Sequence, residues 1–169
     1  MLFIFSMTLS MKNQHCQSNS SFFLIGAPYF RWQIINMGIM AKWILFTAGI
    51  LGATAVTLGA FGAHALKARL DEYSIGIYRT GVVYQYYHVL ALLAVGLLAL
   101  KYPGGLLQWS AISFVIGMFF FSGSLYLLAT RSLLGIESWS SILGPVTPLG
   151  GLFFIAGWIL LSMHVLKNI

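Results

Sequence analysis

Four stretches of this chain, residues 43–64, 82–100, 106–130 and 148–166, are apolar almost without interruption and contain no Asp or Glu. About 20 mostly apolar residues suffice for a helix to cross the hydrocarbon of a bilayer, and each stretch comes close to or exceeds that length. The two central stretches are separated only by Lys101-Tyr102-Pro103-Gly104-Gly105, a turn sequence that predicts an antiparallel helical hairpin. The pattern therefore predicts an all-α integral membrane protein: a multi-pass four-helix bundle with short loops, with the lipid bilayer as its first partner.

Composition supports lipid as the solvent. The chain is 59% hydrophobic and only 7% charged, too little charge to cover the surface of a soluble fold of 169 residues. The net charge of +6 is spread over single residues, which argues against nucleic-acid binding. A lone cysteine, Cys16, excludes an internal disulfide and any multi-cysteine metal site within one chain. No cofactor or metal is called for.

Residues 1–39 differ from the rest, with two short apolar patches around a polar stretch from Lys12 to Ser21. They lack the basic start and small-residue cleavage site of a secretory signal. Met40-Ala41-Lys42-Trp43 reads as a start followed by an interfacial anchor, so residues 1–39 are expected to be an N-terminal extension or a mis-assigned start, and 40–169 the transmembrane domain. The first span carries Gly52, Ala55, Gly59 and Ala63 on one face and Gly49, Ala53, Thr57 and Ala60 on another. Small residues let membrane helices approach closely, so this span is expected at the centre of the bundle. Residues 65–80 are expected to form an interfacial helical stretch with Gly81 as a swivel. Thr147 and Pro148 suit the cap and first position of the fourth helix. From Met40 onward, the terminal side carries Lys42, Lys101 and Lys167 and the loop side Lys67, Arg69, Arg79 and Arg131, a difference of one that does not fix orientation.

Tracing four spans places the end of helix 1, the start of helix 2, the end of helix 3 and the start of helix 4 in one leaflet. The polar residues His64, Tyr84, Gln85, His88, Ser122, Ser124, Tyr126 and Thr147 all fall there. Tyr84, Gln85 and His88 are spaced to bond with one another on helix 2. Two readings stand. Either these groups pair to fix helix register, as buried polar groups in hydrocarbon must, or His64 and His88 line a pocket for a small molecule, proton or metal. His164 falls at the opposite face and is expected to be interfacial.

Four motifs occur in order: Gly59-Ala60-Phe61-Gly62-Ala63-His64-Ala65-Leu66-Lys67, Tyr84-Gln85-Tyr86-Tyr87-His88-Val89-Leu90-Ala91-Leu92, Gly123-Ser124-Leu125-Tyr126 and Gly144-Pro145-Val146-Thr147-Pro148-Leu149-Gly150-Gly151. Together they resemble the signatures of the domain-of-unknown-function family 423, small four-span proteins of bacterial inner membranes with relatives in eukaryotes. The resemblance covers about residues 40–166 and implies the fold and a location in the cell (inner or plasma) membrane. It implies no activity, so no catalytic role passes to His64, His88 or Tyr126.

Three classes of function are open to such a chain. The first is a small bundle that associates with itself or joins a larger membrane complex. The second is a small transporter or channel, but no span carries a carboxylate, so proton coupling would fall to His88. The third is an enzyme, and no catalytic constellation or nucleophile motif supports it. The expectation is a non-enzymatic, accessory or self-associating bundle.

Overall fold

A computed structural model describes residues 38–168. It contains four long helices: α1 (Gly38–Leu66), α2 (Glu72–Lys101), α3 (Gly105–Leu134) and α4 (Ser140–Asn168), the last preceded by a short 3-10 turn, Glu137–Trp139. Each is long and apolar enough to cross a membrane. All but the last two residues of the expected N-terminal extension, 1–37, lie outside the described residues.

The helices are longer than their apolar cores because polar residues at their ends also take helical conformation. At 30 residues, α2 is about 45 Å long, against a hydrocarbon core of about 30 Å. Asp71 caps it, accepting a 2.6 Å hydrogen bond from the Ser74 backbone N–H. The interfacial stretch expected at residues 65–80 is thus largely the first turns of α2, which continue unbroken through Gly81. Gly81 is buried, with Tyr126 and Leu125 packed against it, so it is a contact point and not a swivel. His88 consequently lies about 24 Å along α2, near the middle of the helix.

A second correction concerns α4. It runs through Pro145 and Pro148 instead of starting at Pro148, and Thr147 sits within the helix, its hydroxyl bonded to the Leu143 carbonyl. Proline is tolerated in membrane helices because nearby side chains and neighbouring helices satisfy the freed backbone. Gly135, left-handed at φ 66°, ends α3 and lets Ile136 donate back to the Arg131 carbonyl.

The third correction is the place of α1. Only 17% of its span is buried, against 44% for α2 and for α3, so α1 stands at the edge and the central hairpin holds the core. The larger core cluster joins Ile44 and Ala48 of α1, Leu92 and Val95 of α2, Phe114 and Met118 of α3 and Phe154 of α4. A smaller one gathers Leu66, Ile75, Tyr78 and Ala129. The outer surface is apolar, with Trp43, Phe119 and Leu166 largely exposed, as a lipid-facing surface should be.

Glycines set the helix spacing at particular crossings. A Cβ on Gly150 would collide with the backbone nitrogen of Phe121, which locks α4 against α3. A Cβ on Gly104 would come within 2.9 Å of the His164 ring, so the α2–α3 turn sits directly on that side chain. His164 is accordingly buried, 1% exposed, against the turn at that end of the bundle.

Candidate functional site

Gln85 projects from α2 between the two core clusters and is 5% exposed. A buried amide in a lipid-solvated bundle must place both its donor and its acceptor. Its Nε2 donates to the Leu51 carbonyl and to Thr54 Oγ1 on α1, each at 3.0 Å. Its Oε1 accepts from the Tyr126 hydroxyl on α3 at 2.7 Å. One side chain therefore ties three helices. Gly81 makes room for this, since a Cβ there would lie 3.0 Å from the Tyr126 ring.

Tyr126 also packs on Tyr78, with ring centroids 4.9 Å apart. The Tyr78 hydroxyl donates to the Leu58 carbonyl of α1 at 3.0 Å. Immediately beyond that carbonyl the last turn of α1, Gly62–Leu66, widens to a π-helix, and the Tyr78 ring occupies the space a Cβ on Gly62 would need. His64 lies in this π turn, exposed, and among the described residues no hydrogen bond joins it to the other polar groups. The expected convergence of His64 with His88 is therefore not found: His64 is exposed and His88 is buried.

His88 departs from Gln85 as well. The two are three residues apart, about 60° around the helix, and that rotation is enough to face different neighbours. His88 Nδ1 contacts the Tyr84 carbonyl at 2.8 Å, a geometry that makes Nδ1 the protonated nitrogen and Nε2 the acceptor. The ring lies flat on Phe154 of α4, centroids 3.4 Å apart and planes 6° from parallel. Phe114, Trp158 and Tyr84 complete an aromatic surround at 5.6, 6.4 and 6.1 Å. Tyr84 itself stacks on Phe121 at 4.5 Å and is 39% exposed.

Between α3 and α4 the hydroxyls of Ser124 and Thr147 meet at 2.7 Å. Ser122, one of the expected pocket residues, is buried but its hydroxyl has no partner among the described residues. The polar residues thus divide into a Gln85–Tyr126 layer, a Ser124–Thr147 pair and a separate aromatic surround of His88. Among the described residues no three His, Cys, Asp or Glu side chains converge as metal ligands do.

The expected helix-packing face of α1 is turned toward α2. Cβ atoms on Gly52 and Gly59 would touch Val89 and Val82 at 3.4 Å, and Ala55 is fully buried. Ala63 is the exception: it lies exposed in the π turn. Sequence reasoning passed over Thr54, Tyr78 and Phe154. Tyr78 carried a signal, a hydroxyl just ahead of the second span, and Thr54 a hydroxyl inside the first, whereas Phe154 carried none among 13 phenylalanines.

The family model described as a protein of unknown function (DUF423) matches residues 58–151. The UPF0382 membrane protein YwdK of Bacillus subtilis is 41% identical over 123 residues, which cover 70% of this chain and 94% of that protein. The UPF0382 membrane protein SH2409 of Staphylococcus haemolyticus is 38% identical over 70% of this chain and 93% of its own. The UPF0382 inner membrane protein YgdD of Escherichia coli is 35% identical over 75% of this chain and 92% of its own. The chain belongs to this family. The stretch its family model spans runs from the Leu58 carbonyl bonded by Tyr78 to Gly151, and so contains Gln85, Tyr126, His88, Ser124 and Thr147. No solved structure matches the chain.

Proposed function

We infer that this DUF423 protein is a small non-enzymatic bundle of the inner or plasma membrane that works by association, in the first instance with a second copy of itself. The observation that carries this reading is the outward face of α1. Gly49, Ala53, Thr57 and Ala60 all lie exposed on that face, and nothing stands within 4 Å of a Cβ on Gly49. The Thr57 hydroxyl donates back to the Ala53 carbonyl, so its proton is not left unpaired on that face. Small residues on an open helix face suit close helix–helix packing in lipid, where van der Waals contact replaces the hydrophobic effect. The parallel stripe on the inner face is already used against α2, which leaves the outer one free for a partner.

A transport route has less to support it. Gln85 bonds Tyr126 and Ser124 bonds Thr147, and the three acidic side chains, Asp71, Glu72 and Glu137, stand at helix ends. Native mass spectrometry from nanodiscs tests the association reading. The wild type is expected as a homo-oligomer, and a Gly49→Leu, Ala53→Leu double variant as a monomer with unchanged melting temperature. Gly52→Leu is expected to lower the melting temperature, since it strikes Val89 within the fold. A monomeric wild type, or a double variant that assembles normally, would refute this function.

A further inference from the structure

The two ends of the bundle differ in charge. All three acidic side chains of the chain, Asp71, Glu72 and Glu137, stand at the end where α2 and α4 begin, together with Lys67, Arg69, Arg79 and Arg131. Cations and carboxylates mix there, and Arg131 lies close enough to Asp71 for their charges to interact. The opposite end carries Lys42, Lys101 and Lys167, all exposed. These three lysines have no acidic side chain of the chain at their end to pair with.

Packing gathers them at one membrane surface. A Cβ on Gly96 would strike Leu45 and Ile44, so the part of α1 that carries Lys42 lies along the last turns of α2, which end at Lys101. Gly104, three residues on, abuts the ring of His164, which precedes Lys167 by less than a turn of α4. α3 also begins there, at Gly105, with neither a capping side chain nor an acidic residue in its first turn, so its dipole adds potential of the same sign. Helix ends account for two of the cations, since Lys101 and Lys167 occupy the last turns of α2 and α4. Lys42 lies toward the N-terminal end of α1, where the dipole gives a cation no such gain. Trp43 and Trp109, largely exposed near the starts of α1 and α3, set the level of this end, because tryptophan settles among lipid headgroups.

We propose that this end of the bundle is a binding surface for anionic phospholipid, whose headgroup phosphates pair with Lys42, Lys101 and Lys167 while the acyl chains lie along the apolar outer surface. Lipid is favoured over an acidic protein because the lysines stand at headgroup level, on flexible stems that carry their charges to the membrane surface. The surface uses none of Gly49, Ala53, Thr57 and Ala60, so its failure leaves the association reading standing.

Native mass spectrometry of the full chain, released from nanodiscs of equal parts phosphatidylglycerol and phosphatidylcholine, tests this by counting the lipids retained. The wild type is expected to retain phosphatidylglycerol in preference. A Lys101→Gln, Lys167→Gln double variant, and Lys42→Gln alone, are expected to lower that preference by about fivefold for each lysine removed, the factor one cation near an anionic surface carries. Lys101→Arg, Lys167→Arg keeps the charges and should keep the preference. Lys67→Gln, Arg69→Gln removes the same net charge from the opposite end and should leave it nearly unchanged. Equal retention of the two lipids by the wild type, or an undiminished preference in the Lys101→Gln, Lys167→Gln variant, would overturn the proposal. So would a loss as large in Lys67→Gln, Arg69→Gln, which would mean that the lipid reads overall charge and not this end, or a loss in the arginine variant, which would mean that charge is not what holds the lipid.

Discussion

The Tyr126 hydroxyl on α3 donates to Oε1 of Gln85 on α2 at 2.7 Å, and the same Gln85 amide reaches the Leu51 carbonyl and Thr54 hydroxyl of α1. This relationship holds the edge helix to the central hairpin. With so little of α1 buried, apolar packing alone gives that helix a small contact area. In lipid, which solvates leucine as well as another helix does, such polar contacts and close packing specify register.

Tyr126→Phe is expected to destabilise the bundle by about 1–3 kcal/mol, because it leaves the buried Gln85 oxygen unpaired. Gln85→Leu should cost less per bond lost, since the Leu51 carbonyl stays within its own helix ladder. The double variant should fall short of the sum by about 0.6–1.7 kcal/mol, between the average and the largest coupling measured across membrane helices. Unfolding free energies of the four proteins in one lipid environment give this cycle. Strict additivity would mean the contact contributes nothing.

Gly150→Ala should be among the most damaging single-methyl changes in the chain. The new carbon meets the Phe121 backbone, which cannot rotate away as a side chain can. Overpacking of this kind costs about 1–3 kcal/mol. Gly151→Ala, with the Phe121 ring 3.9 Å from its Cβ, should be tolerated. Melting temperatures of the two variants, compared side by side, check the contrast.

The number of spans and their order were legible because hydrocarbon demands long apolar runs, and those runs cannot be hidden in a sequence. That Gln85 and Tyr126 require partners was equally legible, since an unpaired amide in lipid is costly. Their pairing with each other was not, because it depends on the rotation of each helix about its axis. A 60° difference sent Gln85 to α1 and α3 and His88 to α4. The small residues of α1 suggested a central helix for a related reason: composition reports that a face permits close approach, not which neighbour takes it. The start of α4 was misplaced because Pro148 fits a first turn as well as it fits a lipid-solvated helix interior.

Two buried serines on α3 give a further contrast. Ser110 Oγ donates to the Gly157 carbonyl at 2.8 Å across to α4, whereas Ser122 Oγ has no partner among the described residues. Ser110→Ala is expected to lower stability by about 0.5–1.5 kcal/mol, the net value of one hydrogen bond. Ser122→Ala should be neutral or stabilising, since it removes a desolvated hydroxyl that gains nothing in return. Thermal unfolding of both variants decides it, and an equal loss in each would show that Ser122 is satisfied in the membrane.

Asp71 gives the pH dependence its sign. The Ser74 backbone N–H and then the Ser74 hydroxyl bond its carboxylate, the cation of Arg131 adds to their effect, and together they hold it below its ordinary value of 3.8. The folded protein therefore binds the proton less readily than the unfolded chain does. The stabilisation is complete above that ordinary value and is lost as pH falls from there through the lower folded value. Asp71→Asn keeps an N-cap oxygen but cannot titrate, so it isolates the charge from the cap. At about pH 6 the wild type should melt above Asp71→Asn, and the gap should narrow as pH drops below about 4 and close in stronger acid. Paired melting curves across that range in one detergent measure it. A gap that stays constant down to acid pH would mean that the hydrogen bond, and not the charge, is what Asp71 contributes.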